Sequence, residues 1–585
     1  MVAGTPAAAQ VGYDVLERGG NAADATVATL LALNVTFGEA ASFPSVAPLL
    51  YYDAASDQVE SYIGAGKAPA RATIEYFHSK GHTVIPKMSI LAQLVPASPD
   101  VIVRLLKQHG TMTFAELSKP AIQLARDGFP VYKTTAKNLN MNIFKRIGYS
   151  FLMPYNAQVY LRGKWWQPIE HKQRLQLPDL ARTLEEIAQA ETNARKAGKS
   201  RAEGLDAVRD YFYSGPIADK IVELHVREQG LISRTDLSEY QGGIERPLSM
   251  EFGDLTLYTN DTWNQGIVVL MALKMLEKVD FSTIKHNSPE YIHLVAQAIE
   301  LAMADREAFI GDPAFVNVPV SGLLSSAYGL TQRNRMTPRA FGKMPEPGDP
   351  WKFAREKRKV TTKISTSPQR TVSQWDERLR NETESAFAWN GNVGKDTSYI
   401  AIVDEKGNAV SLTPSDFPMS PMVPGTGLTL GIRMTQFRLD ANSPTSLAPG
   451  KRPRITPHAL MIKKHGKFYM SFGTPGADMQ TQALVQVFLN HFAYGMDLQR
   501  AIESPRFRSR NWPDSFSPHE YLPGQIDLEE ELYESAGRAL SDLGYQTQEF
   551  PSMDNTFSAP GAIAKQNGLL YAGADPREST TARGK

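Results

Sequence analysis

Clustered apolar residues predict a β-hairpin between Tyr399 and Leu412. The first β-rich run is Tyr-Ile-Ala-Ile-Val, residues 399–403, and the second is Ala-Val-Ser-Leu, residues 409–412. Between them lies the polar turn cluster Asp-Glu-Lys-Gly-Asn. Within that cluster, Gly407 supplies the left-handed residue that a three-residue hairpin loop requires.

The register of this hairpin sets two hydroxyl groups opposite each other. If residues 405–407 form the loop, Asp404 pairs with Asn408, and the same count places Thr397 opposite Ser415. Directly opposed residues of antiparallel strands have β-carbons about 5 Å apart on one face. A threonine that begins one strand and a serine that ends its partner are therefore expected to meet.

Thr397 would become an activated nucleophile if it were a new chain end. A hydroxyl needs an adjacent base, and the free α-amine of an N-terminal threonine provides one, with a reference pKa of about 8. The chain would first have to be cut between Asp396 and Thr397. Attack of the hydroxyl on the Asp396 carbonyl, followed by hydrolysis of the ester, would free that amine. The alternative interpretation is structural, since threonines also open β-strands.

A glycine-rich turn farther along the chain provides a second candidate element. A strand over residues 468–472 is predicted to run into the turn Gly-Thr-Pro-Gly-Ala, after which apolar residues recur at helical spacing up to Phe492. The N–H groups of Gly476 and Ala477 would point out of this turn near a helix N-terminus, where such groups stabilise an oxyanion. A plain tight turn and a phosphate cradle have the same sequence pattern, so these alternatives stay open.

Together with the segments around them, the hairpin and the turn resemble the gamma-glutamyltransferase family of N-terminal nucleophile hydrolases. The likeness extends almost from end to end, and its pieces keep one order along the chain. They are residues 19–25, 95–97, 125–129, 230–232, 236–237, 304–306, 311–313, 449–454, 503–507 and 574–577. The resemblance implies an α+β fold, a four-layer αββα sandwich.

The resemblance also implies how the chain is divided. Self-cleavage before Thr397 would give a large portion, residues 1–396, and a small portion, residues 397–585, as two halves of one compact domain. Residues 342–396 are rich in proline and charge, which predicts a mobile connector before the cut. The precursor would be a zymogen that matures to a heavy and light heterodimer, and further dimerisation is left open.

Four positions match the catalytic pattern of the family. Thr397 corresponds to the processing threonine, so it would be the nucleophile of both autocleavage and catalysis. Ser415 corresponds to a second hydroxyl that bonds to the nucleophile. Gly476 and Ala477 correspond to paired glycines of the oxyanion hole, and the alanine is expected to be harmless because the donor is a backbone N–H.

Substrate-recognition positions depart from the family pattern. Ala65 stands where members acting on gamma-glutamyl compounds have an arginine for the substrate's α-carboxylate, and a methyl group cannot replace a guanidinium. Thr435 and Gln436 replace two aspartates that hold the substrate's α-amine, and residues 40–48 lack an expected glycine run. We therefore expect an amide hydrolase or acyltransferase whose acyl group is not ordinary gamma-glutamyl.

The candidate substrate-binding residues are Asp416, Arg433, Gln436 and Arg454. They lie at or beside substrate-lining positions that the resemblance implies, and arginines there would suit an anionic substrate. Structural ion pairs explain each arginine equally well. Residues 263–266, Trp-Asn-Gln-Gly, fit either a pocket wall or a helix-start turn.

Several functions stay open within this resemblance. Cephalosporin acylases, oxamate hydrolases and antibiotic-pathway enzymes depart from the family in a similar way, and the sequence does not choose among them. A true glutathione hydrolase or gamma-glutamyltransferase is one alternative. A non-catalytic descendant that uses the old pocket for binding is another.

Composition fits a large soluble enzyme, for which the resemblance implies a small-molecule amide substrate. Among 585 residues, 63 Lys and Arg nearly balance 62 Asp and Glu, which predicts no nucleic-acid or membrane partner. The chain has no cysteine, which excludes disulfides, a thiol nucleophile and thiolate metal ligands. His78 and His82 have no evident third ligand, so we expect no metal and no cofactor.

No signal segment follows Met1, which favours a cytoplasmic location, or a periplasmic or secreted one if a signal peptide was removed.

Overall fold

The side chains of the central strands alternate between two buried faces, and this arranges the chain in layers. The computed structural model describes residues 1–139, 141–357, 397–416 and 419–585. Within these residues two large β-sheets pack face to face, and helices cover the outer face of each. The predicted α+β class with an αββα arrangement is confirmed.

The strands and helices of the described residues are numbered in chain order. The strands are β1 (Val2–Ala3), β2 (Leu49–Asp53), β3 (Gln58–Tyr62), β4 (Phe129–Pro130), β5 (Arg174–Leu175), β6 (Ile244–Glu245), β7 (Leu248–Phe252), β8 (Leu255–Thr259), β9 (Ile400–Val403), β10 (Ala409–Leu412), β11 (Leu460–Lys464), β12 (Lys467–Gly473), β13 (Phe507–Ser509), β14 (Gln525–Glu529), β15 (Gln546–Phe550), β16 (Gly561–Gln566), β17 (Leu569–Ala574) and β18 (Thr581–Ala582). The helices are α1 (Pro6–Glu17), α2 (Ala22–Thr36), α3 (Ile74–Ser79), α4 (Ser98–Gln108), α5 (Phe114–Asp127), α6 (Lys133–Leu139), α7 (Ile143–Leu152), α8 (Pro154–Tyr160), α9 (Pro178–Lys196), α10 (Arg201–Tyr213), α11 (Pro216–Arg227), α12 (Arg234–Ser238), α13 (Ile267–Leu276), α14 (Pro289–Phe309), α15 (Val320–Leu323), α16 (Ser326–Arg333), α17 (Met479–Phe492), α18 (Leu498–Glu503) and α19 (Glu530–Asp542). None of these helices combines the length and the apolar character needed to cross a bilayer.

Both large sheets draw strands from distant parts of the chain. The first has seven strands in the order β18-β1-β9-β10-β2-β3-β6, and the second has six in the order β17-β16-β12-β11-β8-β7. Neighbouring strands within each are antiparallel. Each sheet combines strands that precede residue 358 with strands that follow residue 396, so the two portions defined from the sequence share both sheets.

Strand β9 shows why the layers form. Ile400 and Ile402 belong to the core between the first sheet and its helices, which include α1, α2 and α5. Ala401 and Val403 belong to the core between the two sheets, because successive side chains of a strand point to opposite faces. Every residue of β9 is buried, so both faces of this strand are covered.

Strands β9 and β10 pair in the register predicted from the sequence. Val403 lies opposite Ala409, and Ile400 lies opposite Leu412. A shift by one residue would exchange the two cores, since it would turn every side chain to the other face. The prediction of the hairpin register is therefore confirmed.

The hairpin turn is attached to the helical layer. Asp404 pairs with Asn408 through a 3.0 Å backbone hydrogen bond, and Gly407 has a φ of 87°, as the loop requires. The Asp404 carboxylate accepts a hydrogen bond from the N–H of Ala22, the first residue of α2, at 2.9 Å. The first N–H groups of a helix have no acceptor within the helix, so the Asp404 carboxylate satisfies one of them. Asn21 also caps this N-terminus.

The first part of the predicted connector is packed against the body of the protein. The Gly348 N–H donates to Asp305 at 2.9 Å, and the Ser321 N–H donates to Glu356 at 3.0 Å. Pro350 is buried. Residues 342–357 therefore contact the body of the protein, and the rest of the connector lies outside the described residues. The mobility of the connector stays a prediction.

We expect Gly473→Ala to destabilise the sandwich, because β12 closely approaches the start of β9 at this glycine. A β-carbon at residue 473 would lie 2.3 Å from the ring of Tyr399. Overpacking of this kind costs about 1–3 kcal/mol. Denaturant unfolding measures the loss, and Gly584→Ala is the control because nothing lies within 4 Å of its added β-carbon. Equal unfolding midpoints for Gly473→Ala and the unchanged protein would contradict the prediction.

Candidate active site

Thr397 and Ser415 meet at the open end of the β9–β10 hairpin. Their hydroxyl oxygens are 2.6 Å apart, and both side chains are fully buried. The backbone continues the ladder up to this point, since the Ser398 N–H donates to the Pro414 carbonyl at 2.9 Å. The predicted contact is confirmed, whereas Asp396, the other residue of the predicted cleavage site, lies outside the described residues.

The backbone of Thr397 has an unusual conformation. Its φ is 125°, a region that β-branched residues rarely adopt and that costs on the order of 1–3 kcal/mol. Its N–H donates to the Ala40 carbonyl at 2.7 Å, and the Asp416 N–H donates to the same carbonyl at 3.2 Å. Ala40 therefore holds the candidate nucleophile and the residue after Ser415 together, a role that the sequence did not reveal.

Arg433 is a buried cation beside the two hydroxyl groups. Its guanidinium donates to the Ser415 hydroxyl. It also donates to the Gln436 side-chain oxygen at 3.4 Å and to the Thr456 hydroxyl at 3.5 Å. The Gln436 amide donates to the same Thr456 hydroxyl at 3.2 Å, so a small polar network extends from the hydroxyl pair.

The Asp416 carboxylate lies beside this cation. One of its oxygens lies 3.6 Å from Nε of Arg433 and accepts a hydrogen bond from the Ile432 N–H at 3.0 Å. Asp416, Arg433 and Gln436, three of the four predicted substrate-binding residues, therefore converge next to Ser415. Their binding to a substrate stays a prediction.

Arg454, the fourth candidate, belongs to a different cluster. Its guanidinium donates to the Glu307 carboxylate and, at 2.9 Å, to the Arg306 carbonyl. The side chains of Arg306 and Arg438 also pair with Glu307, at 2.9 and 3.3 Å. The structural ion pair foreseen as the alternative is thus present at Arg454, and substrate contact by this residue stays an untested prediction.

The turn at Gly476 and Ala477 lies next to the hydroxyl pair. Helix α17 begins just after it, at Met479. Within the described residues, neither the Gly476 nor the Ala477 N–H donates a hydrogen bond to the protein. Gln480, in the first turn of α17, directs its amide towards the Thr397 hydroxyl at 3.5 Å. Two backbone N–H groups with no acceptor in the described residues could donate to an oxyanion, and the predicted oxyanion-hole role of this turn stays a prediction.

The two residues of this turn have different backbone requirements. Gly476 has a φ of 117°, and a β-carbon there would lie 2.3 Å from the Ser558 hydroxyl. Ala477 has a φ of 50°, a left-handed conformation that costs an L-residue about 1–2 kcal/mol. The alanine therefore carries a backbone cost that the sequence did not reveal, and the expectation that it is harmless for the N–H donor stays a prediction.

Gln265 joins the turn to the opposite wall of the site. Its amide donates to the Ala477 carbonyl at 3.0 Å and to the Thr456 carbonyl at 3.2 Å. Its side-chain oxygen accepts from Arg306 at 2.7 Å. Residues 263–266 directly precede α13, as the helix-start interpretation requires, and the pocket-wall interpretation of this run stays a prediction. Gln480 was missed, because a polar residue within a helix gives no signal of the partner that it faces.

An apolar wall replaces the arginine of the family pattern. Ala65 packs with Val46, Trp263 and Ile455 in one buried cluster. Val46 pairs with Ser415 through two backbone hydrogen bonds, at 3.0 and 3.1 Å, so this wall adjoins the hydroxyl pair. The position at which a substrate carboxylate would be expected is apolar in this chain.

Metal-binding groups do not gather in the part of the chain that the structure describes. No three His, Asp or Glu side chains there are arranged to hold a metal ion. His458 follows the segment of Thr456 and is fully buried, and burial lowers its pKa to about 4, so it is neutral near pH 7. The groups gathered around Thr397 and Ser415 are hydroxyls, amides, the Arg433 guanidinium and the Asp416 carboxylate.

Comparison with known proteins finds similarity over the whole chain. The profile of the Gamma-glutamyltranspeptidase family matches residues 8–584. The glutathione hydrolase-like YwrD proenzyme of Bacillus subtilis is 27% identical over 585 residues, which cover 99% of this chain and 96% of that protein. The acylase ACY 1 proenzyme of Pseudomonas sp. strain SE83 is 26% identical over 577 residues, covering 96% and 89%. The solved cephalosporin acylase from Bacillus halodurans matches with a TM-score of 0.80 and 25% identity, covering 99% and 94%.

We expect Glu307→Gln to destabilise the protein and to change its acid sensitivity. Burial alone would raise the pKa of Glu307, but Arg454, Arg306 and Arg438 lower it from 4.5 to about 2. A carboxylate whose pKa is lower in the folded than in the unfolded state stabilises the fold by about 3 kcal/mol above about pH 4.5. This stabilisation is lost as the pH falls to about 2. Breaking such a buried cluster costs about 3–5 kcal/mol near neutral pH.

Urea unfolding of Glu307→Gln and the unchanged protein at several pH values tests this expectation. The stability difference should be largest at neutral pH and should shrink below about pH 4.5. Glu549→Gln, a substitution of an exposed glutamate, is the matched control and should change stability little. A stability difference that is independent of pH would contradict the assigned role of the three arginines.

Proposed function

The chain belongs to the gamma-glutamyltranspeptidase family, and from this premise we propose that it is a self-processing amide hydrolase or acyltransferase with Thr397 as its nucleophile. The observation that carries the proposal is the 2.6 Å contact between the Thr397 and Ser415 hydroxyls at the end of a buried hairpin. Relatives named as hydrolase and acylase proenzymes support both the reaction class and the processing step.

Processing would begin with attack of the Thr397 hydroxyl on the carbonyl carbon of Asp396. The C–N bond to Thr397 breaks, its nitrogen takes up a proton, and Asp396 is left as an ester on the Thr397 oxygen. Water then hydrolyses the ester, which frees the hydroxyl and a carboxylate at Asp396. The positive φ of Thr397 supports this step, because strain in the precursor is relieved when the bond before this residue is cut.

Turnover would use the same hydroxyl with its new α-amine as the base. The amine accepts the hydroxyl proton while the oxygen attacks the substrate's amide carbon, and the protonated amine then gives the proton to the leaving nitrogen. The N–H groups of Gly476 and Ala477 are the proposed donors to the oxyanion. Water or an acceptor amine would release the acyl group from Thr397.

Ser415 and Arg433 are proposed to set the properties of this hydroxyl. Ser415 keeps the Thr397 side chain in one orientation, since it is itself bonded to Val46 and Arg433. A buried guanidinium close to the reacting oxygen favours the form in which that oxygen carries more negative charge. Charge of this kind develops as the hydroxyl loses its proton.

The acyl group is proposed to differ from gamma-glutamyl. The apolar wall at Ala65 offers no charge for a carboxylate, whereas Arg433 offers one near Ser415. An acyl group with its anionic end close to the scissile carbonyl would use that cation in place of the family's arginine. Gln436 and Thr456 would bind remaining polar groups, because they lie beside Arg433 in the same network.

We expect Thr397→Ala to remain a single chain, whereas the unchanged protein gives fragments of residues 1–396 and 397–585. Thr397→Ser should still be cut, because it keeps a hydroxyl. Ser415→Ala should be cut about tenfold more slowly, since one hydrogen bond to the nucleophile is lost. Denaturing electrophoresis with mass spectrometry of the fragments measures these outcomes.

Thr256→Ala is the matched control, because the Thr256 hydroxyl bonds to the exposed Glu251, in a hairpin of the second sheet. It should be cut like the unchanged protein. Cleavage of Thr397→Ala at the same bond, or an active protein that is never cut, would overturn the proposal. A permanently intact and inactive chain would instead support the alternative, a non-catalytic binding protein.

We expect Arg433→Gln to lower hydrolysis of amides with an anionic acyl group at least about 100-fold, because a buried charge pair with the substrate is lost. Hydrolysis of amides with neutral acyl groups should fall less, and this serves as the internal control. A panel of chromogenic anilides, including a gamma-glutamyl anilide, measures the rates. Rapid turnover of the gamma-glutamyl anilide by the unchanged protein would favour the alternative, a true glutathione hydrolase or gamma-glutamyltransferase.

A further inference from the structure

One region of the surface is unusually rich in exposed apolar side chains. Of the large apolar residues that are exposed in the described part of the chain, half lie between Ile143 and Trp166. Phe151 is 85% exposed and Phe144 is 77% exposed. Trp165 and Trp166 extend the surface beyond α8, with ring centroids 5.7 Å apart. We call this surface the 143–166 face.

Helix α7 points its apolar side outward. Four exposed apolar residues share one side of this helix, because they are spaced three and four residues apart. They are Ile143, Phe144, Ile147 and Phe151. The inward side carries Tyr149 and the buried guanidinium of Arg146. Because soluble helices normally bury their apolar side, an exposed one of this size indicates a binding surface.

The segment that contains the 143–166 face has basic residues but no acidic ones. No Asp or Glu occurs from Gly128 to Ile169. The same residues include six basic ones, Lys133, Lys137, Lys145, Arg146, Arg162 and Lys164. Lys133, Lys137 and Lys164 are exposed, and Lys145 and Arg162 are partly exposed. Asp554, from another part of the chain, lies 3.5 Å from the Lys137 amine. Aromatic and aliphatic side chains flanked by bases, without acids, are typical of segments that lie in the interface of an anionic bilayer.

We propose that the 143–166 face docks the protein on anionic lipid bilayers. Phe144, Phe151 and the two tryptophans would enter the region between head groups and acyl chains, and the lysines would contact lipid phosphates. A second copy of the chain fits this face less well. A symmetric pair would place the same predominantly basic region against itself, and like charges repel.

The proposed docking surface is connected to the candidate active site. The Asn156 side chain, on α8, donates to the Ser420 carbonyl at 3.0 Å and accepts from the Met422 N–H at 2.9 Å. Met88 packs against both the core of the α7–α8 pair and the cluster that contains Ala477. Docking would therefore place the bilayer near one wall of the site. The inference doesn't depend on the proposed reaction, because binding to lipid needs no cleavage at Thr397.

Vesicle flotation of the full chain tests the proposal. We expect the protein to float with vesicles of phosphatidylcholine and phosphatidylglycerol, to float less with pure phosphatidylcholine, and to be released by high salt. Phe144→Gln with Phe151→Gln should lower the bound fraction at least about tenfold, because the apolar contact is lost. Lys133→Gln with Lys164→Gln should lower binding to the anionic vesicles and weaken its dependence on salt.

Leu569→Gln with Leu570→Gln is the matched control, because it removes two exposed apolar residues from β17, on the edge of the second sheet. It should float like the unchanged protein. The two phenylalanine substitutions lie at exposed positions, so the unfolding midpoint should stay unchanged and misfolding would not explain a loss of binding. Thr397→Ala should float normally, which separates this inference from the proposed function.

Three results would overturn the proposal. The first is failure of the unchanged protein to float with anionic vesicles. The second is equal flotation of the unchanged protein and the double phenylalanine variant. The third is a lipid-free dimer that the phenylalanine substitutions dissociate, measured by light scattering, because the 143–166 face would then be a contact between copies of the chain.

Discussion

The pairing of β9 with β10 is the constraint on which the rest of the site depends. Side chains alternate between the two faces of a strand, so a slip of one residue would separate Thr397 from Ser415. The same slip would move Ile400 out of the helical core, at a large cost in buried apolar area. Core packing and the turn at Gly407 therefore select one register, and the position of the two hydroxyls follows from it.

Buried charges surround this hairpin in two separate groups. Arg433 with Asp416 lies beside the hydroxyl pair, whereas Glu307 with three arginines is connected through Gln265 to the turn at Gly476 and Ala477. Buried ions are costly to desolvate and seldom increase stability over apolar packing. In this protein the buried ions position neighbouring groups. Gln265 bonds to both Arg306 and Ala477, and so holds the turn in a fixed place.

The charge balance of the whole chain does not describe the charge of the 143–166 face. Lys and Arg balance Asp and Glu over the whole chain, which led us to expect no membrane partner. The region from Gly128 to Ile169 has six basic residues and no acidic one, next to an outward apolar helix side. Net charge sums over all residues, whereas association depends on the field and the apolar area of one face.

The sequence by itself determined the hairpin, its turn and its register, and the family resemblance supplied the αββα architecture. Strand period and turn residues are encoded in consecutive positions, so Thr397 and Ser415 could be placed together without any tertiary information. Only the tertiary structure decided which arginine faces the hydroxyls and which faces Glu307. It also decided that Ala40 and Gln265 hold the site and that the apolar side of α7 points outward. These contacts join residues far apart in the chain, and a guanidinium pairs with whichever carboxylate the packed layers bring within reach, which local patterns do not encode.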